Sequence, residues 1–351
     1  MKKYLFLAAL AASVSFFGCS DDDEPTGGTT GDPVTDAISA DVKTVIIPSY
    51  DALHDKGDAL GDALIAFKAS ATDANLSAAK QAWIDARKEW EATEGFGFGP
   101  VSNDNVDPDV DDWPFDTASF NQILNSSITL DQTFVNSMET NTKGFHAIEY
   151  LLYGVNSNKT LSGFTPRELE MLAALGENVS ERLHALAEAW STGGGNYGNN
   201  LLNPPNATYA DKKAVLSELA DGLSGCTNEV ANEKIGGPLA THDENQDESR
   251  YSKNSTNDFA NNIIGVRNIY LGTLDGSSGN GLTVIIKKNS ASLDDSVKTA
   301  ITNALSRINA MTPTFVDALN SNPTVVQQAK DAVTALDDLL TNRVTPILKA
   351  Q

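Results

Sequence analysis

His146 and Glu149 lie three positions apart in the otherwise apolar segment 144–154 of this 351-residue chain. On an α-helix, side chains three positions apart share one face and are about one turn from each other. Imidazole nitrogen and carboxylate oxygen are common ligands of divalent transition metals. The spacing therefore predicts a metal site or, if the protein is an enzyme, a catalytic pair. The same spacing also fits two buried side chains that only satisfy each other's hydrogen bonds.

The apolar residues around this pair recur at helical spacing, which predicts a buried helix from Asp131 to Gly154. Upstream, the same periodicity predicts a long helix over 42–67 with a kink or a break at Pro48, because proline cannot donate a helical hydrogen bond. The intervening segment 101–114 is rich in aspartate. It lacks the glycine and the closing glutamate of a calcium-binding loop, so we predict a long loop packed over the site.

A further helix is predicted to begin at Pro166, and two final helices are predicted over 293–311 and 324–348. Residues 282–286 have a strand-like composition, and no other segment has a convincing strand pattern. We therefore predict an all-α protein made of two packed up-and-down helical bundles.

A stretch rich in glycine, asparagine and proline at 191–205 predicts the boundary between the two bundles. The N-terminal bundle, over 36–192, would carry the His146 and Glu149 pair, and the C-terminal bundle would extend over 193–351.

Residues 1–18 combine a basic start with a short apolar run, which is typical of a secretory signal peptide. The run ends at Gly18-Cys19 and resembles a bacterial lipoprotein cleavage site, so Cys19 is expected to carry the lipid. The polar segment 19–35 predicts a flexible tether. The expected location is the cell envelope, with a lipid anchor in the outer membrane on its periplasmic or its surface face. Cleavage elsewhere, which would give an unanchored protein, is the alternative.

Acidic residues outnumber basic ones, with 47 Asp and Glu against 25 Lys and Arg, and the net charge is −22. Such a surface repels phosphates, which argues against a nucleic-acid partner. The chain has only two cysteines. If Cys19 carries lipid, Cys226 has no disulfide partner, and we expect it to be a small buried residue.

Several sequence blocks, taken together and in order, resemble the imelysin family. The hallmark of that family is Gly-x-His-x-x-Glu, which this chain has at 144–149. Two blocks precede it: Trp83-x-x-x-Arg87-x-x-Trp90-Glu91-x-x-Glu94, and Asp112-Trp113-Pro114-x-Asp116. Four follow it: Glu248-Ser249-Arg250-Tyr251-Ser252, Thr256-x-Asp258, Asn262-x-x-Gly265, and Tyr270-Leu271-Gly272. The resemblance extends from Asp36 to the C-terminus, and it favours a short helix at 282–286.

The resemblance implies further site residues, all from the matching blocks. Three carboxylates near the motif are candidates to complete a metal site with His146 and Glu149: Glu94, Asp112 and Asp116. A second group is expected to contact a bound cofactor or metal complex: Arg87, Trp113, Ser249, Arg250, Ser252 and Asp258. Either arginine also fits a buried structural ion pair with a nearby carboxylate. The expected metal is iron or zinc.

Two functions remain as hypotheses, together with a structural envelope protein that has lost its site. The first is a cell-envelope lipoprotein that binds iron, another metal ion or a metal complex and works with iron-uptake machinery, as the resemblance implies. The second is a metal-dependent peptidase or hydrolase of the imelysin type, in which His146 and Glu149 hold the metal. The chain lacks the His-Glu-x-x-His spacing of common zinc proteases, and this favours metal binding over peptidase activity.

Overall fold

The computed structural model describes residues 31–351, and every regular element in that range is helical. This confirms the all-α prediction. The predicted signal peptide, the lipidated Cys19 and most of the tether lie outside the described residues. Within 31–351, no helix is both long enough and apolar enough to cross a membrane.

The first half of the described chain consists of three long helices joined by shorter ones. The elements are α1 (Pro33–Ala40), α2 (Ile47–Ala69), α3 (Asp73–Glu91), α4 (Pro100–Asn103), α5 (Val106–Asp111), α6 (Thr117–Leu124), α7 (Gln132–Asn136), α8 (Gly144–Tyr153) and α9 (Pro166–Trp190). Helix α2 packs along α3 and α9, and α8 packs against α3 and α9. The first turn of α9 is fixed by a capping box between Thr165 and Glu168, at the start predicted from Pro166.

The second half continues in the same style. Its elements are α10 (Gly198–Leu202), α11 (Lys212–Glu229), α12 (Gly236–Thr241), α13 (Ser255–Leu271), α14 (Leu282–Asn289), α15 (Ala291–Ile308), α16 (Phe315–Ser321), α17 (Pro323–Leu339) and α18 (Thr345–Leu348). Helix α15 packs on α13 and α17, and α11 packs on α13 and α17. Cys226 is buried in α11, as predicted.

Two predictions about the segments near the motif are wrong. The motif helix begins at Gly144 rather than at Asp131, which instead caps α7 by accepting a hydrogen bond of 2.9 Å from the Phe134 amide. The acidic segment 101–114 is not one loop, because it contains most of α4 and all of α5. Helices this short are held by tertiary packing and leave little periodic signal in the sequence.

Three helices widen into a π-helical turn shortly before a proline. The π-helical segments are Asp41–Ile46, Val230–Ile235 and Leu340–Val344, and they precede Pro48, Pro238 and Pro346. In a regular helix, each proline would leave the carbonyl four residues earlier without a donor and would clash with it. Those carbonyls belong to Thr44, Lys234 and Asn342, all within the widened turns. The predicted kink or break at Pro48 is thus a wider turn in a continuing helix.

Glycines allow the two halves of the chain to approach closely at the end of α3. A Cβ on Gly265 of α13 would lie 2.3 Å from the Ala92 carbonyl oxygen, and one on Gly222 of α11 would lie 2.5 Å from that of Gly95. Any side chain at these two positions would collide with the facing backbone, so only glycine fits. The close contacts bring the carboxylates at the end of α3 to the neighbourhood of α13, where the site forms.

Candidate metal centre

A cluster of buried charges lies where α3, α5 and the segment before α13 meet. Its centre is Arg87, whose side chain is completely buried. One guanidinium nitrogen contacts Asp111, and the other contacts Glu91 and lies 3.4 Å from Glu248. These carboxylates compensate the buried charge of Arg87. Removing only the arginine, or only the carboxylates, would leave buried charge without a partner.

Lys234 adds a second buried cation from a π-helical turn. Its ammonium nitrogen lies 3.2 Å from Glu91, 3.0 Å from Glu94 and 3.1 Å from Glu248. Burial alone would lower the pKa of Lys234, but these carboxylates outweigh burial and raise it well above its usual value. We call the set Arg87, Lys234, Glu91, Asp111 and Glu248 the charged cluster.

The glycine of the motif places His146 beside this cluster. Gly144 has a φ of +73°, and a Cβ there would lie only 2.2 Å from the Val110 carbonyl oxygen. The start of α8 therefore rests directly on the end of α5, and Asp111 comes next to His146. The two side chains are 3.3 Å apart, from Nε2 to Oδ1.

His146 is fully buried between two carboxylates. Its Nδ1 lies 3.4 Å from Glu149 Oε2, and its Nε2 faces Asp111 without the alignment of a hydrogen bond. Burial disfavours the charged imidazolium, but the neighbouring carboxylates of Asp111 and Glu149 outweigh it and raise the pKa of His146 to about 10.

Glu149 has a second function, which is to anchor the turn that precedes α13. Its Oε1 accepts hydrogen bonds from the Tyr251 amide at 3.0 Å, and from the amide and the hydroxyl of Ser252, both at 2.7 Å. Its other oxygen faces His146. The glutamate of the motif thus orients the histidine and fixes the second half of the chain against α8.

A small pocket of about 40 Å³ opens beside His146. It is lined by Trp113, Pro114, Phe115, His146, Asn245, Asp247, Glu248, Arg250 and Tyr251. This volume has room for a few water-sized groups. Three of the acidic or basic side chains that line it have buried atoms without a hydrogen-bond partner: His146 Nε2, Glu248 Oε2 and both carboxylate oxygens of Asp247.

These residues fit a metal ion. Asp111, His146 and Glu248 each have one potential ligand atom within 4.8 Å of the others, and so do Glu91, Glu94 and Asp111. The first group combines one imidazole with two carboxylates, a donor set that iron and zinc accept. The unpartnered carboxylate oxygens of Glu248 and Asp247 are costly to bury, and a bound cation would satisfy them. The raised pKa of His146 favours the protonated ring, so His146 would release a proton when it binds a metal.

The structure brings together only some of the residues predicted for the site. Trp113, His146 and Arg250 line the pocket, and Arg87, Glu94 and Glu149 lie behind it. Asp112 instead accepts a hydrogen bond from the Thr140 hydroxyl. Asp116 caps α6 and accepts from the Ala118 and Ser119 amides at 3.0 and 3.1 Å. Neither belongs to the groups of convergent ligand atoms in residues 31–351.

The other predicted contacts form a layer around the turn that Glu149 holds. The Ser249 amide donates to the Ser255 hydroxyl at 3.0 Å, and the Ser252 hydroxyl donates to Glu149. Asp258 accepts from the Asn254 side chain at 2.7 Å, and burial raises its pKa to about 7. These residues support the turn that carries Glu248.

Sequence reasoning missed five site residues: Glu91, Asp111, Lys234, Asp247 and Glu248. Two of them had a usable signal. Glu91 follows Arg87 by four positions on one helix, a spacing at which opposite charges pair. Glu248 opens one of the blocks that resemble the imelysin family. Asp111 was one of several aspartates in a presumed loop, and Lys234 and Asp247 had no motif around them.

Comparison with known proteins identifies the family of this chain. The sequence model of the imelysin family, peptidase M75, matches residues 46–343. This chain belongs to the imelysin family. Among relatives, iron-regulated protein A of Synechococcus elongatus is 30% identical over 320 residues, which cover 89% of this chain and 86% of the relative.

Solved imelysin-like structures agree with the fold. An iron-regulated protein A precursor from Parabacteroides distasonis superimposes with a TM-score of 0.81 and 25% identity, covering 93% of this chain and 96% of that one. An imelysin-like protein from Psychrobacter arcticum has a TM-score of 0.72 over 90% of this chain and 95% of its own, at 14% identity. The second match supports the imelysin fold alone.

Proposed function

We propose that this imelysin-family protein binds a metal ion, with iron as the first candidate, through Asp111, His146 and Glu248. The observation that carries the proposal is the convergence of unpartnered buried atoms on one pocket, namely His146 Nε2, Glu248 Oε2 and the Asp247 carboxylate. Two carboxylates and one imidazole would neutralise a divalent ion and supply the ligand types that iron accepts.

The motif residues have distinct functions in this proposal. Glu149 faces His146 Nδ1, so the other ring nitrogen, which lies 3.3 Å from Asp111, is left to bind a metal. Such a carboxylate behind a metal-binding histidine fixes the ring and makes it a better ligand. Glu149 is therefore a positioning residue, and His146 is the ligand.

The charged cluster would hold the ligands in place before the metal arrives. Arg87 contacts both Asp111 and Glu248, and Lys234 contacts Glu248. These cations hold the carboxylates in fixed positions and reduce their mutual repulsion. The metal competes with protons for His146, so binding is expected to weaken as the medium becomes more acidic.

The physiological part of the proposal is an envelope protein that captures iron or an iron complex for uptake machinery. The names of two relatives, both iron-regulated protein A, support the link to iron. The membrane partner would be reached through lipid on Cys19. Cys19→Ser should release the protein from the membrane fraction, and absence of labelled palmitate in the wild-type protein would refute the anchor.

Metal titration of the purified protein tests the proposed ligands. Fe²⁺, under anaerobic conditions, and Zn²⁺ are titrated calorimetrically into wild-type protein, His146→Ala, Glu248→Gln and the control His242→Ala. His242 is exposed and outside the cluster. The two ligand variants should lose affinity by at least about tenfold, while the control should not. Equal affinities in wild type and His146→Ala would refute the site.

A metal-dependent hydrolase is the second candidate, because Asp247 lies on the same pocket with both oxygens unpartnered. A carboxylate there could accept the proton of a metal-bound water. In this case, metal-loaded wild-type protein should cleave unfolded protein substrates and Asp247→Asn should not. Cleavage that persists in Asp247→Asn would rule out this residue as the base.

A further inference from the structure

The ammonium nitrogen of Lys234 is surrounded by more carboxylate oxygens than it has protons to donate. It lies 3.0 Å from each of the two Glu94 oxygens, 3.2 Å from Glu91 Oε2 and 3.1 Å from Glu248 Oε1. An ammonium group has only three N–H donors. Four oxygens of three carboxylates therefore face one nitrogen, and oxygen-rich surroundings of this kind are what hard metal ions prefer.

The carboxylates converge on one another even when the lysine is not considered. Glu91, Glu94 and Asp111 each have one oxygen within 4.8 Å of the others, and Lys234 contacts the first two. Asp111 also belongs to the group that includes His146, so the two groups are adjacent. The Glu91 side chain is completely buried. Buried carboxylates this close together require cations between them.

Glu248 connects the position of the ammonium group with the pocket. Its Oε1 lies 3.1 Å from the Lys234 nitrogen, while its Oε2 is buried and has no hydrogen-bond partner among the described residues. The same side chain is only 5% exposed and lines the pocket beside His146. Two-metal centres hold their ions about 3.5–4 Å apart, so both ions draw on one set of carboxylates. Glu248 is placed as a carboxylate of such a set would be.

The backbone fixes the position of Lys234. This residue lies in the π-helical turn Val230–Ile235, and its carbonyl is the one that Pro238 would leave without a donor in a regular helix. Widened turns of this kind are frequent at functional sites. The Lys234 side chain is 4% exposed, so the contacts with the carboxylates are made in the interior.

We propose that the ammonium group of Lys234 takes the place of a second metal ion, so that the centre binds one ion and not two. The inference rests on the proposed function for the first ion, at His146, and adds the residue that sets the number of ions. It follows that the wild-type protein lacks the chemistry of two-metal hydrolases, in which two ions hold the attacking and the leaving oxygen.

Without the lysine, the remaining carboxylates are suited to a hard divalent ion such as Mn²⁺. An ion that binds carboxylate oxygen at about 2.1 Å would draw the Glu94 oxygens inward by roughly 0.9 Å from their present distance to the nitrogen. The Glu94 side chain is 15% exposed, which gives it freedom to move and gives the ion access from solvent.

The experiment counts bound Mn²⁺ in the full-length protein by the paramagnetic resonance signal of the free ion. Lys234→Ala should bind one more Mn²⁺ per chain than the wild type. Lys234→Arg keeps the charge and should bind the same number as the wild type. Lys298→Ala is the matched control, because Lys298 lies 2.8 Å from the single carboxylate of Asp294, and its removal should add no ion.

A second pair of variants separates this inference from the proposed function. His146→Ala should lose the first ion, and His146→Ala combined with Lys234→Ala should still bind one ion, at the position of the lysine. If the wild type binds one ion and Lys234→Ala also binds one, this inference fails and the proposed function stands. If the wild type binds none and Lys234→Ala binds one, the outcome is reversed.

Stability provides a readout that does not depend on a folded starting state. Lys234→Ala leaves buried carboxylates uncompensated, so it should be less stable than the wild type in the absence of metal. Mn²⁺ should raise its melting temperature more than that of the wild type or, for an unfolded variant, restore its helical circular dichroism. No extra ion and no gain from Mn²⁺ would overturn the inference and leave Lys234 as a structural counter-charge.

Discussion

The protein buries carboxylates in two contrasting ways. In the charged cluster, Glu91, Asp111 and Glu248 surround Arg87 and Lys234. In the first π-helical turn, by contrast, Asp41 is completely buried and neither of its oxygens has a hydrogen-bond partner among the described residues. Burial raises the pKa of Asp41 well above its usual value, which favours the neutral form of this side chain.

The difference is that the buried carboxylates of the charged cluster have cations built in beside them, whereas Asp41 has none among residues 31–351. Asp247 lies between the two cases, since it is unpartnered as Asp41 is but lies on the pocket next to Glu248. Burial raises the pKa of Asp247 to about 8. A bound cation would compensate the charge of the Asp247 carboxylate, as Arg87 compensates that of Asp111.

Removing the central cation should have the largest effect. Arg87→Met leaves several carboxylates uncompensated and should lower the free energy of unfolding by about 3–5 kcal/mol. Guanidinium unfolding measures this, with Arg307→Met as the matched control, because Arg307 is exposed and only reaches Gln328. A loss below about 1 kcal/mol would mean that the cluster does not depend on its arginine.

Removing the glutamate of the motif should have the next largest effect. Glu149→Ala removes the acceptor of three hydrogen bonds and should cost about 3 kcal/mol, while Glu149→Gln, which keeps one carbonyl oxygen, should cost less. Metal affinity should also fall, because His146 loses the group that orients it. Thermal melts and metal titrations on the same proteins check both; a pure loss of metal affinity, with no loss of stability, would identify Glu149 as a ligand instead.

Asp41 should produce a pH dependence that the charged cluster does not. Its pKa is higher in the folded state than in the unfolded state, so the folded state retains the proton longer and stability falls as pH rises above about 4. Asparagine does not titrate, so the unfolding free energy of Asp41→Asn should fall less steeply as the pH rises. The difference in slope should be up to about 1.4 kcal/mol per pH unit. Unfolding curves from pH 4 to 8 test this against the exposed Asp295→Asn; identical slopes in wild type and Asp41→Asn would contradict it.

Asp247→Asn should change stability least, by about 1 kcal/mol or less, because water in the pocket can serve either side chain. Metal affinity should nevertheless fall by about tenfold, as expected for a group that contacts a metal-bound water. A stability loss as large as that of Arg87→Met would place Asp247 inside the charged cluster rather than on the pocket.

The sequence predicts the long helices well, because their periodicity is a local property. The helix start at Pro166 and the shared face of His146 and Glu149 were both readable from spacing. The short helices α4 and α5 were not, since packing stabilises them. The boundary near residue 193 stays a prediction.

The site itself was only half predictable, for a physical reason. Its histidine lies in a motif, but Asp111 reaches that histidine because Gly144 rests on the Val110 carbonyl. Lys234 follows α11, and it reaches Glu91 where Gly222 of α11 rests on the Gly95 carbonyl. These close contacts join segments that are remote in sequence. Composition and periodicity are local properties and do not predict such contacts.

The hydrogen bonds of Glu149 to the turn before α13 also have a kinetic meaning. Ser252 lies 103 residues beyond Glu149, and Glu248 lies 161 residues beyond its partner Arg87. Contacts between residues this far apart close large loops, and loop closure costs chain entropy. Such contacts are therefore expected to form after the local helices have formed and collapsed together. We therefore expect the proposed metal centre to assemble late in folding and a partly unfolded chain to bind no metal there. The rate at which refolding protein acquires metal should follow the slowest folding phase rather than helix formation.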